Sequence, residues 1–184
     1  MPGAPAASAA AGDRRDVAPP GHGPTLDTYL REGIVRVEAI YVKRAHRGVM
    51  DPVSEARLVA GQGIYGNVDR SRRRQVSLVS LDAWNRFMAA LGGVASPARR
   101  RANIVVSGID LEESRGRTLR IGEAELLIGG ELTPCERMDE VIPGLQALMR
   151  PRWGGGVFAQ VPRDGVIRVG DPIEWAAVDP GATD

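Results

Sequence analysis

From residue 33 onward, glycine, proline and other turn-forming residues cut the chain into short apolar runs, about every ten positions. Runs this short make strands rather than long helices, and the strand–helix–strand rhythm of a parallel sheet is absent. The expectation is a mainly β fold, an antiparallel barrel or sandwich with a few short helices. Residues 34–42 (IVRVEAIYV) alternate, which would place Val35, Val37 and Ala39 on one face of a strand. Further strands are expected at 56–60, 74–80, 103–109, 117–122 and 123–130. Residues 157–161 and 166–169 read as a hairpin turning on Asp164-Gly165. One segment is clearly helical in period: Leu81, Trp84, Phe87, Met88 and Leu91 form an apolar stripe, with Ser80 placed to cap its start and Gly92 to end it. Residues 143–149, opened by a proline, read as a second, short helix.

Residues 1–25 are rich in alanine, proline and glycine and have too little apolar surface to offset the entropy of ordering. A disordered tail is expected there, followed by one domain over residues 26–178, and His22 within the tail has no assigned role. The tail has no apolar core behind a basic start, so it does not read as a signal peptide. No apolar run approaches the length of a membrane span. A net charge of +1 with 26% charged residues favours neither nucleic acid nor a membrane surface. The single cysteine excludes an intramolecular disulfide and suits a reducing cytoplasm. Lys43 is the only lysine, so nearly every cation is a planar guanidinium fork suited to phosphate or carboxylate.

Several stretches could carry chemistry. Cys135 lies in TPCERMD, between a proline and a Glu-Arg pair rather than within an apolar run. The residues alone leave two readings open. One is an inert core thiol; the other is a thiolate, favoured by Arg137 and opposed by Glu136 and Asp139, able to bind a soft metal or accept sulfur. The arginine runs RSRRRQ (70–75) and ARRRANIVVSG (98–108) each precede a strand and should lie at strand mouths. They read as a solvated basic edge, a nucleic-acid patch or a set of forks for a compact anion. The scarcity of aromatic residues (4%) weighs against nucleic acid. In RWGGGVF (152–158), three glycines before a strand would suit either a loose loop or close approach of backbone to a ligand. GQGIYG (61–66) has dinucleotide-fingerprint spacing but follows a weak strand and opens no helix, which argues against that role. His46 has no second histidine or cysteine nearby in sequence, which disfavours zinc. No nucleophile-elbow sequence supports a Ser-His-Asp hydrolase.

Taken in order, GQGIYGN, RRQVSLVS, RRANIVVSGIDL, LRIGEAELLIGG, TPCERMD, PGLQALM, GGGVFAQV and GVIRVGDPIEW resemble a MOSC domain, the molybdenum-cofactor sulfurase C-terminal family, in its small stand-alone bacterial form. The resemblance spans roughly residues 34–175 and implies a MOSC-type β-barrel that binds the molybdenum–molybdopterin cofactor. It implies that Cys135 ligates molybdenum or carries transferable sulfur. Arg101 and Asn103 match the family's R-x-N-I pair near the pterin. Gly61, Gly63 and Gly66 match its glycine loop, and Gly154, Gly155 and Gly156 match a second loop. Arg74, Gln75 and Thr133 complete the expected cofactor-binding set. Asn67 stands where the family commonly has aspartate, and no histidine follows, so the role of that cluster does not carry over. The implied activity is a molybdenum-dependent oxidoreductase acting on small N-hydroxylated compounds. Its electrons would come from an external reductase, because the chain has no iron–sulfur cysteine set and no flavin motif. The alternatives are a sulfur-carrier module holding a persulfide on Cys135, and a non-catalytic cofactor-storage protein. No pyridoxal phosphate is expected, since Lys43 falls on the first strand. Neither nucleic acid nor membrane is an expected partner.

Overall fold

The computed structural model describes residues 35–68 and 71–177; the expected tail over residues 1–25 lies outside them. In chain order the elements are β1 (Arg36–Lys43), β2 (Met50–Val53), β3 (Glu55–Val59), β4 (Gly63–Ile64), β5 (Val76–Ser80), α1 (Leu81–Leu91), β6 (Ile104–Ser107), β7 (Thr118–Ile121), β8 (Ala124–Glu131), α2 (Leu145–Met149), β9 (Val157–Gln160), β10 (Gly165–Arg168) and β11 (Ile173–Trp175). Single 3-10 turns occupy Pro97–Arg100, Glu136–Met138 and Pro151–Trp153. The fold is mainly β with two helices among the described residues, as the punctuated sequence led one to expect.

Four departures from the sequence reading are informative. First, the strands do not form a closed barrel. They make an open eight-stranded sheet, β11-β7-β8-β9-β5-β6-β1-β2, and a three-stranded one, β10-β3-β4. The start of β1 meets the far end of the large sheet through the bridge between Arg36 and Pro172, flanked by hydrogen bonds from Val37 N–H to the Asp171 carbonyl (3.0 Å) and from Ile173 N–H to the Val35 carbonyl (3.1 Å). β11 is three residues long and Pro172 has no N–H to donate, so this ladder does not extend. Second, β5 and β6 run parallel, joined through α1 and the turn at Pro97–Arg100. That connection is long enough for the crossover a parallel pair needs. Third, a register shift between Val37 and Ala39 moves the buried face of β1 from Val37 to Ile40 and Val42, so Ala39 does not share the face of Val37. Fourth, β9 and β10 are not a hairpin. β9 lies between β8 and β5, and β10 pairs with β3. The Asp164 carboxylate accepts the Ala60 N–H at 2.8 Å and pairs with Arg57 at 3.4 Å, which fastens β10 to β3 instead of reversing the chain.

The main core joins both sheets, with Val37, Ile40, Leu58, Ile64, Leu78, Ile104, Leu119 and Leu126 all buried. A second apolar cluster matters more for function. Trp84 and Met88 of α1 pack with Met138, Leu145 and Met149, tying α1, α2 and the turn after Cys135 together. The α1 caps expected from sequence are present: Ser80 Oγ accepts the Ala83 N–H at 3.2 Å, and Gly92 adopts the left-handed conformation. Ser80→Ala is expected to cost about 1 kcal/mol, a fall of roughly 2–4 °C in Tm by calorimetry, with Ser80→Asp close to wild type. No helix among the described residues is long and apolar enough to cross a membrane.

Candidate functional site

The N-terminal ends of β5 and β6, the turn at Pro97–Arg100, the segment from Leu132 to Val141, and Phe158 of β9 border a cleft of about 790 Å³. Its walls carry Lys43, Arg74, Arg99, Arg100, Arg101 and Arg137 against the single carboxylate of Glu140. Cys135 lies on the same wall as Arg137 and is an exposed free thiol. Local chemistry explains its placement. Pro134, buried and without an N–H, ends the strand-like run, and Cys135 follows in extended conformation, its carbonyl accepting the Met138 N–H at 3.0 Å. Met138 then anchors the turn in the α1–α2 cluster, leaving the thiol facing the cleft.

Arg100 is the most firmly held of the cations. It is 8% exposed, and its Nε donates to the Gly155 carbonyl at 2.8 Å while a terminal nitrogen donates to the Leu132 carbonyl at 2.7 Å. It therefore clamps the loop entering β9 to the segment that leads to Cys135. Burial pulls its pKa below the ordinary arginine range, and negative charge on Cys135 acts in the opposite direction. Arg101 caps the preceding turn in the left-handed conformation and donates to the Gly48 carbonyl at 2.9 Å. The side chains of Arg99 and Arg137 make no hydrogen bond or ion pair among the described residues, whereas outer-surface arginines such as Arg57, Arg152 and Arg168 have carboxylate partners. Arg99 and Arg137 thus bring unpaired forks to the cleft.

The polar floor is already satisfied by the protein. Asn103 Oδ1 accepts the Ser77 N–H (3.2 Å) and hydroxyl (3.0 Å), and its Nδ2 donates to the Tyr41 carbonyl and to Asn67 Oδ1. Asn67 Oδ1 also accepts the Lys43 N–H at 2.8 Å. Gln75 donates to the Arg72 carbonyl and accepts the Val161 N–H. These buried amides fix β1, β5, β6 and β9 around the cleft.

Of the residues expected from sequence, Cys135, Arg74, Gln75, Arg101 and Asn103 line one cleft. Gly61, Gly63, Gly66, Thr133, Gly155 and Gly156 do not. Three of these glycines sit against protein backbone: a Cβ on Gly63 would strike the Gln75 carbonyl, one on Gly155 the Leu132 carbonyl and one on Gly156 the Leu78 carbonyl, whereas Gly61 has nothing within 4 Å and Gly66 meets only the end of Arg44. Thr133 is exposed outside the cleft lining, and His46 lies in the exposed β1–β2 connection. Arg99, Arg100 and Phe158, which the sequence did not single out, also line the cleft. No group of three or more His, Cys, Asp and Glu side chains among the described residues is arranged to hold a metal. Any metal at Cys135 must bring most of its ligands with it.

The domain is mainly β, with an exposed thiol on the wall of a cation-lined cleft. The chain belongs to the MOSC domain family, whose model matches residues 56–174. Among solved structures it is similar to the YuaD protein from Bacillus subtilis, with 25% identity and a TM-score of 0.68 over 79% of this chain and 97% of that one. It also shares its fold with YiiM from Geobacillus stearothermophilus (17% identity, TM-score 0.61, covering 80% of this chain and 78% of that one). YiiM from Escherichia coli is a further fold neighbour (19% identity, TM-score 0.57, 78% and 71%). No protein of curated function matches the chain.

Proposed function

We propose that the cleft binds the molybdenum cofactor with the Cys135 thiolate as a molybdenum ligand, and that the protein reduces small N-hydroxylated compounds. The observation that carries this reading is an exposed thiol on the wall of a cleft whose free guanidinium groups have no protein partner. The donor set suits such a group. A lone soft sulfur, without a metal-binding cluster around it, fits a metal that arrives already chelated by its pterin. Arg99 and Arg137 would hold the cofactor phosphate as charge-assisted forks. Arg100 would keep the Cys135 segment in place, and the Asn103–Asn67 pair would keep the floor rigid.

The bound cofactor would supply two-electron redox chemistry, while the chain supplies ligation and orientation. Overall, electrons from an external reductase and protons from water would convert the N–O bond of a hydroxylamine into an amine and water. An exposed free thiol persists best in a reducing compartment, so the cytoplasm is the proposed location. The exposure of Cys135 also supports a second reading, a sulfur carrier holding a persulfide there.

One comparison separates these readings. Wild type and Cys135→Ala are produced in a cofactor-making host and assayed for bound molybdenum, pterin fluorescence and hydroxylamine reduction. The expected result is molybdenum and activity in the wild type, with activity lowered at least about 100-fold in the variant, the scale for loss of a first-sphere ligand or its support. Persulfide without molybdenum would favour the carrier. Full molybdenum retention in the variant, with neither protein active, would favour cofactor storage.

A further inference from the structure

Arg74 and Phe158 make a cation–π pair on one wall of the cleft, the guanidinium carbon lying over the ring at 5.2 Å from its centroid. Both partners are set in place from behind. The Phe158 ring packs against Gly129 of β8, where any Cβ would collide with the ring edge. The backbone of Arg74 is fixed by two reciprocal bonds with Ser71, its N–H to Ser71 Oγ and its carbonyl from the Ser71 N–H, both at 3.1 Å. The next residue, Gln75, is buried and bonded on both sides. The Arg74 side chain is nonetheless exposed, and its guanidinium makes no hydrogen bond or ion pair among the described residues.

We infer that the Arg74–Phe158 pair is a subsite for a planar ring carrying an acidic group, so that the cleft selects aromatic or heteroaromatic anions over aliphatic ones. A guanidinium with one face on an aromatic ring keeps its opposite face for a second flat group and its N–H edge for an anion. A planar acid uses both; an aliphatic acid uses only the edge. The subsite belongs to the cleft of the proposed function, but its preference for a ring does not require the metal. The ring can be that of the substrate or the pterin of the cofactor, and the experiment separates them.

Metal-free protein is titrated with 2-naphthoate, followed by its fluorescence, and with the saturated decahydro-2-naphthoate as competitor. Wild type is expected to prefer the flat acid by about tenfold. Arg74→Lys keeps the charge and loses the flat face, so the preference should fall to near parity while the saturated acid still binds; Phe158→Leu should weaken the preference too. Equal binding of the two acids by wild type, or an undiminished preference in Arg74→Lys, overturns the inference. The same variants are then made in a cofactor-producing host. Normal pterin content with lost selectivity for aromatic over aliphatic N-hydroxylated acids assigns the subsite to the substrate, and lowered pterin content assigns it to the cofactor. A change in neither overturns its functional role. Absence of molybdenum from the wild type would sink the cofactor reading while the naphthoate titration still decided this one.

Discussion

Gly156→Ala is expected to yield little or no folded protein. Gly156 enters β9 with φ at +92°, and a Cβ there would strike the Leu78 carbonyl while lying 3.2 Å from Val79 Cα. Leu78 and Val79 belong to β5, inside the large sheet between β9 and β6, so the obstacle is backbone that cannot step aside. Left-handed strain of about 1–2 kcal/mol adds to the clash, for a total of roughly 4 kcal/mol or more, a large share of a typical domain's stability. Gly61→Ala is the matched control. Its φ is +69° but nothing lies within 4 Å of the new methyl, so strain alone, about 1 kcal/mol, should appear. Soluble yield and Tm of the two variants should therefore differ sharply.

Arg100→Met should be the next most damaging change, and it should damage the site as well as the fold. It removes two short bonds and leaves the buried Gly155 carbonyl and the part-buried Leu132 carbonyl short of a donor. The expected loss is about 2–4 kcal/mol after allowing for the desolvation that the arginine itself incurs, or roughly 5–15 °C in Tm. Arg100→Lys should recover only part of this, because an ammonium lacks the rigid fork that reaches both carbonyls together. With the clamp gone, the segment from Leu132 to Cys135 keeps the bond from Leu132 N–H to the Gly156 carbonyl (2.8 Å) but loses its side-chain brace, and molybdenum content should fall even in protein that remains folded.

The sequence made the local features legible and hid those set by distant partners. The Ser80–Gly92 helix was readable because its caps and apolar stripe lie within one short stretch. The β9–β10 hairpin was misread because Asp164-Gly165 looks like a turn, whereas the pairing is decided by β3 and β5, far away in sequence. The face of β1 was misassigned beyond Val37 because a bulge shifts the alternation without leaving a glycine or proline to mark it. At the site, residue chemistry marked Cys135 and the two arginine runs, while the family resemblance pointed to the Arg101–Asn103 pair; Cys135, Arg74, Gln75, Arg101 and Asn103 line one cleft. Glycine signals close backbone approach without saying what approaches; at Gly63, Gly155 and Gly156 the backbone of Gln75, Leu132 and Leu78 does, while Gly61 has nothing within 4 Å. Among three consecutive arginines, only the fold of the Pro97–Arg100 turn decides that Arg100 faces inward and Arg99 stays free.

The most direct test is X-ray absorption at the molybdenum edge of cofactor-loaded wild type beside Cys135→Ser. The wild type should show one more sulfur neighbour on the metal than the variant, with pterin content comparable in the two. An identical sulfur count in both would mean that the cleft thiol does not touch molybdenum, and the assignment of Cys135 as ligand would be wrong.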